Sequence, residues 1–155
     1  MCEYPLIEHY IENYNPDIKS KIERAVYEYD DKNGKQNDVN VNDLSPIDFE
    51  HHCADILKQN GWITRVTQAS GDQGIDVIAT YGDIKAVFQC KKYSNPVGNK
   101  AVQEIVAGKQ FERANIAAVV SNIGYTASAK QLAQSTGTYL LHYSELAEFH
   151  QKIGM

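Results

Sequence analysis

Two strand-like runs joined by two residues constrain this chain more than any other feature. Ile75–Tyr81 and Ile84–Lys92 are rich in β-branched and aromatic residues, and Gly82-Asp83 lies between them. A two-residue loop with glycine first suits a type II′ hairpin turn. That loop sets Tyr81 opposite Ile84, Ile78 opposite Val87 and Asp76 opposite Gln89. Strand alternation then puts Val87, Gln89 and Lys91 on one face, and Ala86, Phe88 and Cys90 on the other. Asp76, Gln89 and Lys91 therefore gather on one side, provided the loop is not a residue longer.

The surrounding sequence supplies the other layers. Ser45 is a natural N-cap, Pro46 suits the first helical turn, Asp48 has capping-box spacing, and Gly61 ends the helix. Its apolar face runs through Phe49, Cys53, Ile56 and Leu57; Glu50 falls among them and points inward. A strand is expected at Trp62–Thr67, a helix at Gly98–Arg113 and a buried strand at Ile116–Ser121. A helix at Tyr125–Ser135, a strand at Thr138–His142 and a closing helix at Tyr143–Ile153 follow. The order α-β-β-β-α-β-α-β-α predicts an α/β domain with a mixed sheet flanked by helices.

Before Ser45 the pattern changes. Residues 5–29 read as two short helices and 30–44 as a polar, Asn/Asp-rich linker, so residues 1–44 form a Tyr-rich helical arm ahead of a domain over 45–155. The chain of 155 residues has a net charge of −5. All of the excess lies in the arm, with five Lys and Arg against ten Asp and Glu. Within the domain, acids predominate over 45–84 and bases over 85–113. The total therefore does not argue against a nucleic-acid partner, because the basic stretch could meet phosphates through Lys92, Lys100 and Lys109. The competing view of these three is a solvated helix face.

A carboxylate, an amide oxygen and a lysine on one sheet face, with an inward glutamate, suit metal-assisted phosphodiester hydrolysis. Asp76 and the Gln89 oxygen are hard ligands for Mg²⁺ (or Mn²⁺). Lys91 could orient or deprotonate the attacking water and stabilise phosphorane charge. Glu50 could serve a water in the ion's shell or a second ion. Taken singly, Asp76 would be a turn residue, and Gln89 and Lys91 exposed strand positions. An unpaired Glu50 on an apolar face is costly and harder to explain as packing.

The motifs G-D-Q-G-I-D at 71–76 and Q-C-K-K-Y at 89–93 resemble the catalytic domain of Mrr-type restriction endonucleases, in the PD-(D/E)XK nuclease superfamily. The resemblance runs over roughly 45–146, with Phe49-Glu50 at one end and Ser144-Glu145-Leu146 at the other. It implies a restriction-endonuclease-like core, divalent-metal cleavage of DNA in defence against foreign DNA, and Asp76, Gln89 and Lys91 as catalytic residues supported by Glu50. Gln89 replaces the acid usual in the superfamily, a variant known in the Mrr branch. Such enzymes often carry a separate recognition module; an acidic arm of 44 residues is too short for one, so recognition is expected from a partner, a homodimer or not at all. The arm could provide that contact or shield the basic face. A junction-resolving nuclease, or a catalytically silent nucleic-acid-binding or assembly subunit, would use the same residues.

Other features add little. Cys2, Cys53 and Cys90 have no zinc or disulfide spacing, and the expectation is two core thiols and one on the arm. Cys90 faces away from the candidate site. His51 and His52 do not share a helix face, and His142 is expected to pack or cap. Gly98 and Gly124 match no phosphate-binding fingerprint. With no secretory signal and no long apolar run, a soluble cytoplasmic protein is expected.

Overall fold

A computed structural model describes residues 39–68 and 73–154. The expectations for the arm up to residue 38, and for residues 71 and 72 of the first motif, lie outside the described residues. The chain divides after Asn40, and everything below concerns the unit from Val41 onward.

Helix α1 (Pro46–Gln59) starts as its cap predicts: Ser45 Oγ accepts from the Asp48 N–H, and Pro46 occupies the first turn. Strands β1 (Ile63–Val66), β2 (Val77–Tyr81) and β3 (Ile84–Lys91) follow, then α2 (Asn99–Glu112) and β4 (Ile116–Ser121). Helix α3 (Ala127–Thr136), β5 (Tyr139–His142), a 3-10 turn (Tyr143–Glu148) and α4 (Phe149–Lys152) complete the domain. The single closing helix expected over 143–153 is thus two pieces, because Glu148 leaves helical backbone (φ −109°, ψ 13°) between the 3-10 turn, which His142 and Glu145 cap reciprocally, and α4.

The sheet order is β1-β2-β3-β4-β5, antiparallel up to β3 and parallel beyond it. The hairpin register is the one a two-residue loop demands, with Tyr81 paired to Ile84 and Ile78 to Val87. Gly82 has φ +58° and Asp83 does not share its positive φ, as a type II′ turn requires.

The two sheet faces are both covered. Ala86, Phe88 and Cys90 pack with Phe49, Cys53 and Leu57 of α1 and with Leu146 and Phe149 of the closing segment. Val87 packs on the other side with Ala101 and Ile105 of α2 and with Ala117 and Val119 of β4. Helix α3 closes on α2 through Ala129, Ala133 and Val102. Each large apolar side chain buried this way contributes about 1.5–3 kcal/mol of transfer free energy. Cys53 and Cys90 are both buried free thiols.

Val41, within the stretch expected as linker, is only 6% exposed and belongs to the core under α1. The Asn/Asp-rich composition around it hides one apolar anchor. No helix among the described residues is long and apolar enough to cross a membrane.

Candidate active site

Strand β2 begins at Val77, two residues later than its sequence suggests, and that delay builds the site. Gln73 and Gly74 both have left-handed backbone, with φ +54° and +75°. The chain therefore enters the sheet late. Asp76 donates its N–H to the Phe88 carbonyl at 2.8 Å, while Val77 already pairs with Phe88. Two residues thus oppose one, as in a bulge, and the expected Asp76–Gln89 pairing does not form.

The displacement gives Asp76 a better-fixed position. Its carbonyl accepts from the Thr67 N–H at 2.9 Å, and Thr67 Oγ1 donates to the preceding Ile75 carbonyl at 2.5 Å. Its carboxylate accepts the Cys90 N–H at 2.7 Å. Backbone donor, backbone acceptor and side chain are all engaged. The carboxylate sits against β3 just before β2 begins, and charges on both flanking helices, Glu50 of α1 and Glu104 of α2, interact with it.

Lys91 and Gln89 come from the end of β3, where β4 pairs with them through Ser121 and Val119. Glu50 comes from the opposite layer, on α1, and is half-buried. Desolvation raises its pKa, the Asp76 charge raises it further, and His51 and Lys91 pull it back. Asp76 is also raised, chiefly by burial and in part by Glu104, against the Cys90 N–H and Lys91. Asp76, Lys91 and Glu50 thus act on one another electrostatically.

Gln89 is not the exposed strand residue it would be in isolation. It is 2% exposed. Its Nε2 donates to Glu104 Oε2 at 2.5 Å, while its Oε1 is buried with no hydrogen-bond partner among the described residues. Such an orphan costs on the order of 1–3 kcal/mol. A buried carbonyl oxygen left in that state suits a hard cation. No group of three His, Cys, Asp or Glu side chains able to hold a metal occurs among the described residues. One carboxylate and one amide oxygen would leave most positions of a Mg²⁺ shell to water and substrate, which is how that ion usually binds.

The three expected phosphate contacts are dispersed. Lys100 is exposed near the start of α2, within 3.7 Å of Glu104 Oε1. It lines a small cleft with Lys91, Tyr93, Gly98 and Glu104. Lys109 lies nine residues on, about 14 Å along the helix. Lys92 Nζ donates to the Asn42 carbonyl at 2.8 Å and to the Leu44 carbonyl, tying the start of the domain to β3. Sequence reasoning missed Thr67 and Glu104, whose partners are distant in sequence. His142 caps, accepting from the Ser144 N–H. The Lys91 ammonium stands 5.8 Å from the centroid of the exposed Tyr93 ring.

The family model of the Mrr catalytic domain, described as a restriction endonuclease, matches residues 41–150. The chain belongs to this family. Among solved structures, a protein of unknown function (AF1548) shares 23% identity with a TM-score of 0.56, over 64% of this chain and 59% of its own. The DNA modification-dependent restriction endonuclease AspBHI shares 18% identity with a TM-score of 0.50, over 85% of this chain and 35% of its own. Both likenesses show the restriction-endonuclease-like fold. The chain spans less than two thirds of the length of either protein. No curated protein matches it. In this Mrr domain the matched region starts at Val41, the residue whose side chain anchors the segment before α1.

Proposed function

We propose that this Mrr-family domain is a divalent-metal-dependent endodeoxyribonuclease of restriction type, acting against foreign DNA. The observation that carries the proposal is the buried, partnerless Gln89 carbonyl, one residue before the Cys90 N–H that holds the Asp76 carboxylate to the same strand. Those two side chains would hold Mg²⁺ or Mn²⁺. When bound, the ion supplies positive charge against the scissile phosphate.

The chain's own groups do the remaining work. Thr67, Phe88 and Cys90 hold Asp76 in place, so its carboxylate needs no reorganisation. The Lys91 ammonium, close enough to bias Asp76 and Glu50, orients water and neutralises charge developing on the phosphate. Glu50, with its raised pKa, is suited to receive a proton on the α1 side of the cluster. Lys100 at the open cleft is placed to meet a neighbouring phosphate. DNA is the proposed partner, with recognition from a second copy or another protein.

An amide where the superfamily usually has an acid favours one second reading, a silent nucleic-acid-binding subunit. Supercoiled plasmid incubated with Mg²⁺ or Mn²⁺ separates the two. The wild type should nick it, chelation should stop nicking, and Lys91→Ala should slow it by about 10²-fold or more. Equal nicking by wild type and Lys91→Ala, or none by the wild type, would refute the catalytic proposal.

A further inference from the structure

Glu104, an acid within the basic stretch 85–113, is not among the site residues that the sequence points to. In the structure it is the partner of the residue on which the metal proposal rests. Its Oε2 accepts from Gln89 Nε2 at 2.5 Å, and its other oxygen lies 3.7 Å from Lys100 Nζ. It also lines the cleft that contains Lys91.

An amide differs from a carboxylate in one respect that matters at a cation site. Both oxygens of a glutamate can ligate, whereas half of a glutamine is an NH₂ group that repels a cation. A glutamine ligand therefore works in only one of two orientations related by a half-turn. An ionised carboxylate accepts hydrogen bonds and donates none, so the half facing Glu104 must be the NH₂. The carbonyl is then turned away from Glu104, and it is the atom left without a partner.

We infer that Glu104 is the positioning residue for the Gln89 amide, fixing the flip that presents Oε1 to the cation. This rests on the metal reading of the site proposed above. Packing reinforces the arrangement. A Cβ on Gly74 would lie 2.8 Å from Glu104 Cβ and 3.2 Å from Gln89 Nε2, so the approach of the 73–75 segment to this pair needs glycine. One turn along α2, a Cβ on Gly108 would lie 2.6 Å from Ile75 Cγ1, which keeps the helix equally close there. Amide at 89 and acid at 104 form a matched pair: glutamate at 89 would abut Glu104, setting like charges together.

The pairing predicts a charge-swap rescue. On the full chain, Mn²⁺ affinity is measured by calorimetry, with metal-free melting temperature alongside. Glu104→Ala should bind Mn²⁺ about 10–100-fold more weakly than wild type, the range for loss of a group orienting a ligand. Gln89→Glu alone should also weaken binding. Gln89→Glu combined with Glu104→Gln should recover at least tenfold over Gln89→Glu, because the amide at 104 can donate to the new carboxylate. In the metal-free wild type the Gln89 side-chain amide protons should shift downfield relative to Glu104→Ala. Mn²⁺ binding by Glu104→Ala within twofold of wild type overturns the inference while leaving the metal reading intact. If Glu104→Ala fails to fold, equal binding by Gln89→Glu and the double variant overturns it. No Mn²⁺ binding by the folded wild type removes the metal reading and this inference together.

Discussion

Asp76 illustrates the tension that single residues carry in this site. Burial raises its pKa, so its charge is disfavoured in the folded domain despite the Cys90 N–H and Lys91. The sign follows directly. Below about pH 4 the group is protonated both folded and unfolded and costs nothing. Above that, the unfolded chain releases the proton first, and stability is lost as pH rises through the raised folded value. Asp76→Asn keeps an oxygen for the Cys90 N–H and should raise the metal-free melting temperature at pH 7 by roughly a few degrees, with the gain vanishing at about pH 3. Thermal melts at the two pH values check this; a lower melting temperature at pH 7 would mean that the carboxylate is a net stabiliser. Of the residues involved, Gln89 and Lys91 were legible in the sequence from strand alternation alone. Thr67 and Glu104 were not, because nine and fifteen residues separate them from the groups they hold and no periodicity links them.

At the scale of elements, the N-cap of α1, the hairpin and the buried β4 were readable because each rests on local rules. Ser45 caps, Gly82 turns and Ile116–Ser121 is too apolar for anything but a buried strand. Two boundaries were not readable. The late start of β2 depends on left-handed backbone at Gln73 and on Thr67 across the sheet. The closing helix breaks at Glu148, after a 3-10 turn that is capped at its start. There Glu145 accepts from the His142 N–H at 3.0 Å and from Lys152 Nζ, and Lys152 above all holds its pKa low. A lowered pKa contributes stability above the ordinary value, lost as pH falls through the folded one. Glu145→Gln should therefore cost up to about 1 kcal/mol at pH 7, since the pair is partly exposed, and less at about pH 3. Denaturant unfolding at both pH values reads the difference; equal losses would assign the effect to packing instead.

For the whole molecule, the charge distribution says more than the net charge, and the three lysines that the sequence offers do not stand together. Lys92 is committed to two backbone carbonyls and Lys109 stands far along α2, which leaves Lys100 beside the cleft with Lys91. Lys100→Ala should weaken DNA binding several-fold at low salt and reduce the slope of log affinity against log salt by about 0.9, one phosphate contact. Lys109→Ala should change the slope less; a larger effect from Lys109 would move the DNA path to the other end of α2. If the buried Gln89 amide oxygen is kept partnerless in order to bind a cation, a side chain of the same length without an amide should lose that binding. For Gln89→Met in the full chain, Mn²⁺ affinity should fall at least about tenfold while the metal-free melting temperature holds or rises, because an unsatisfied polar group has been removed. Undiminished Mn²⁺ binding by Gln89→Met would mean that the Gln89 oxygen is not a ligand.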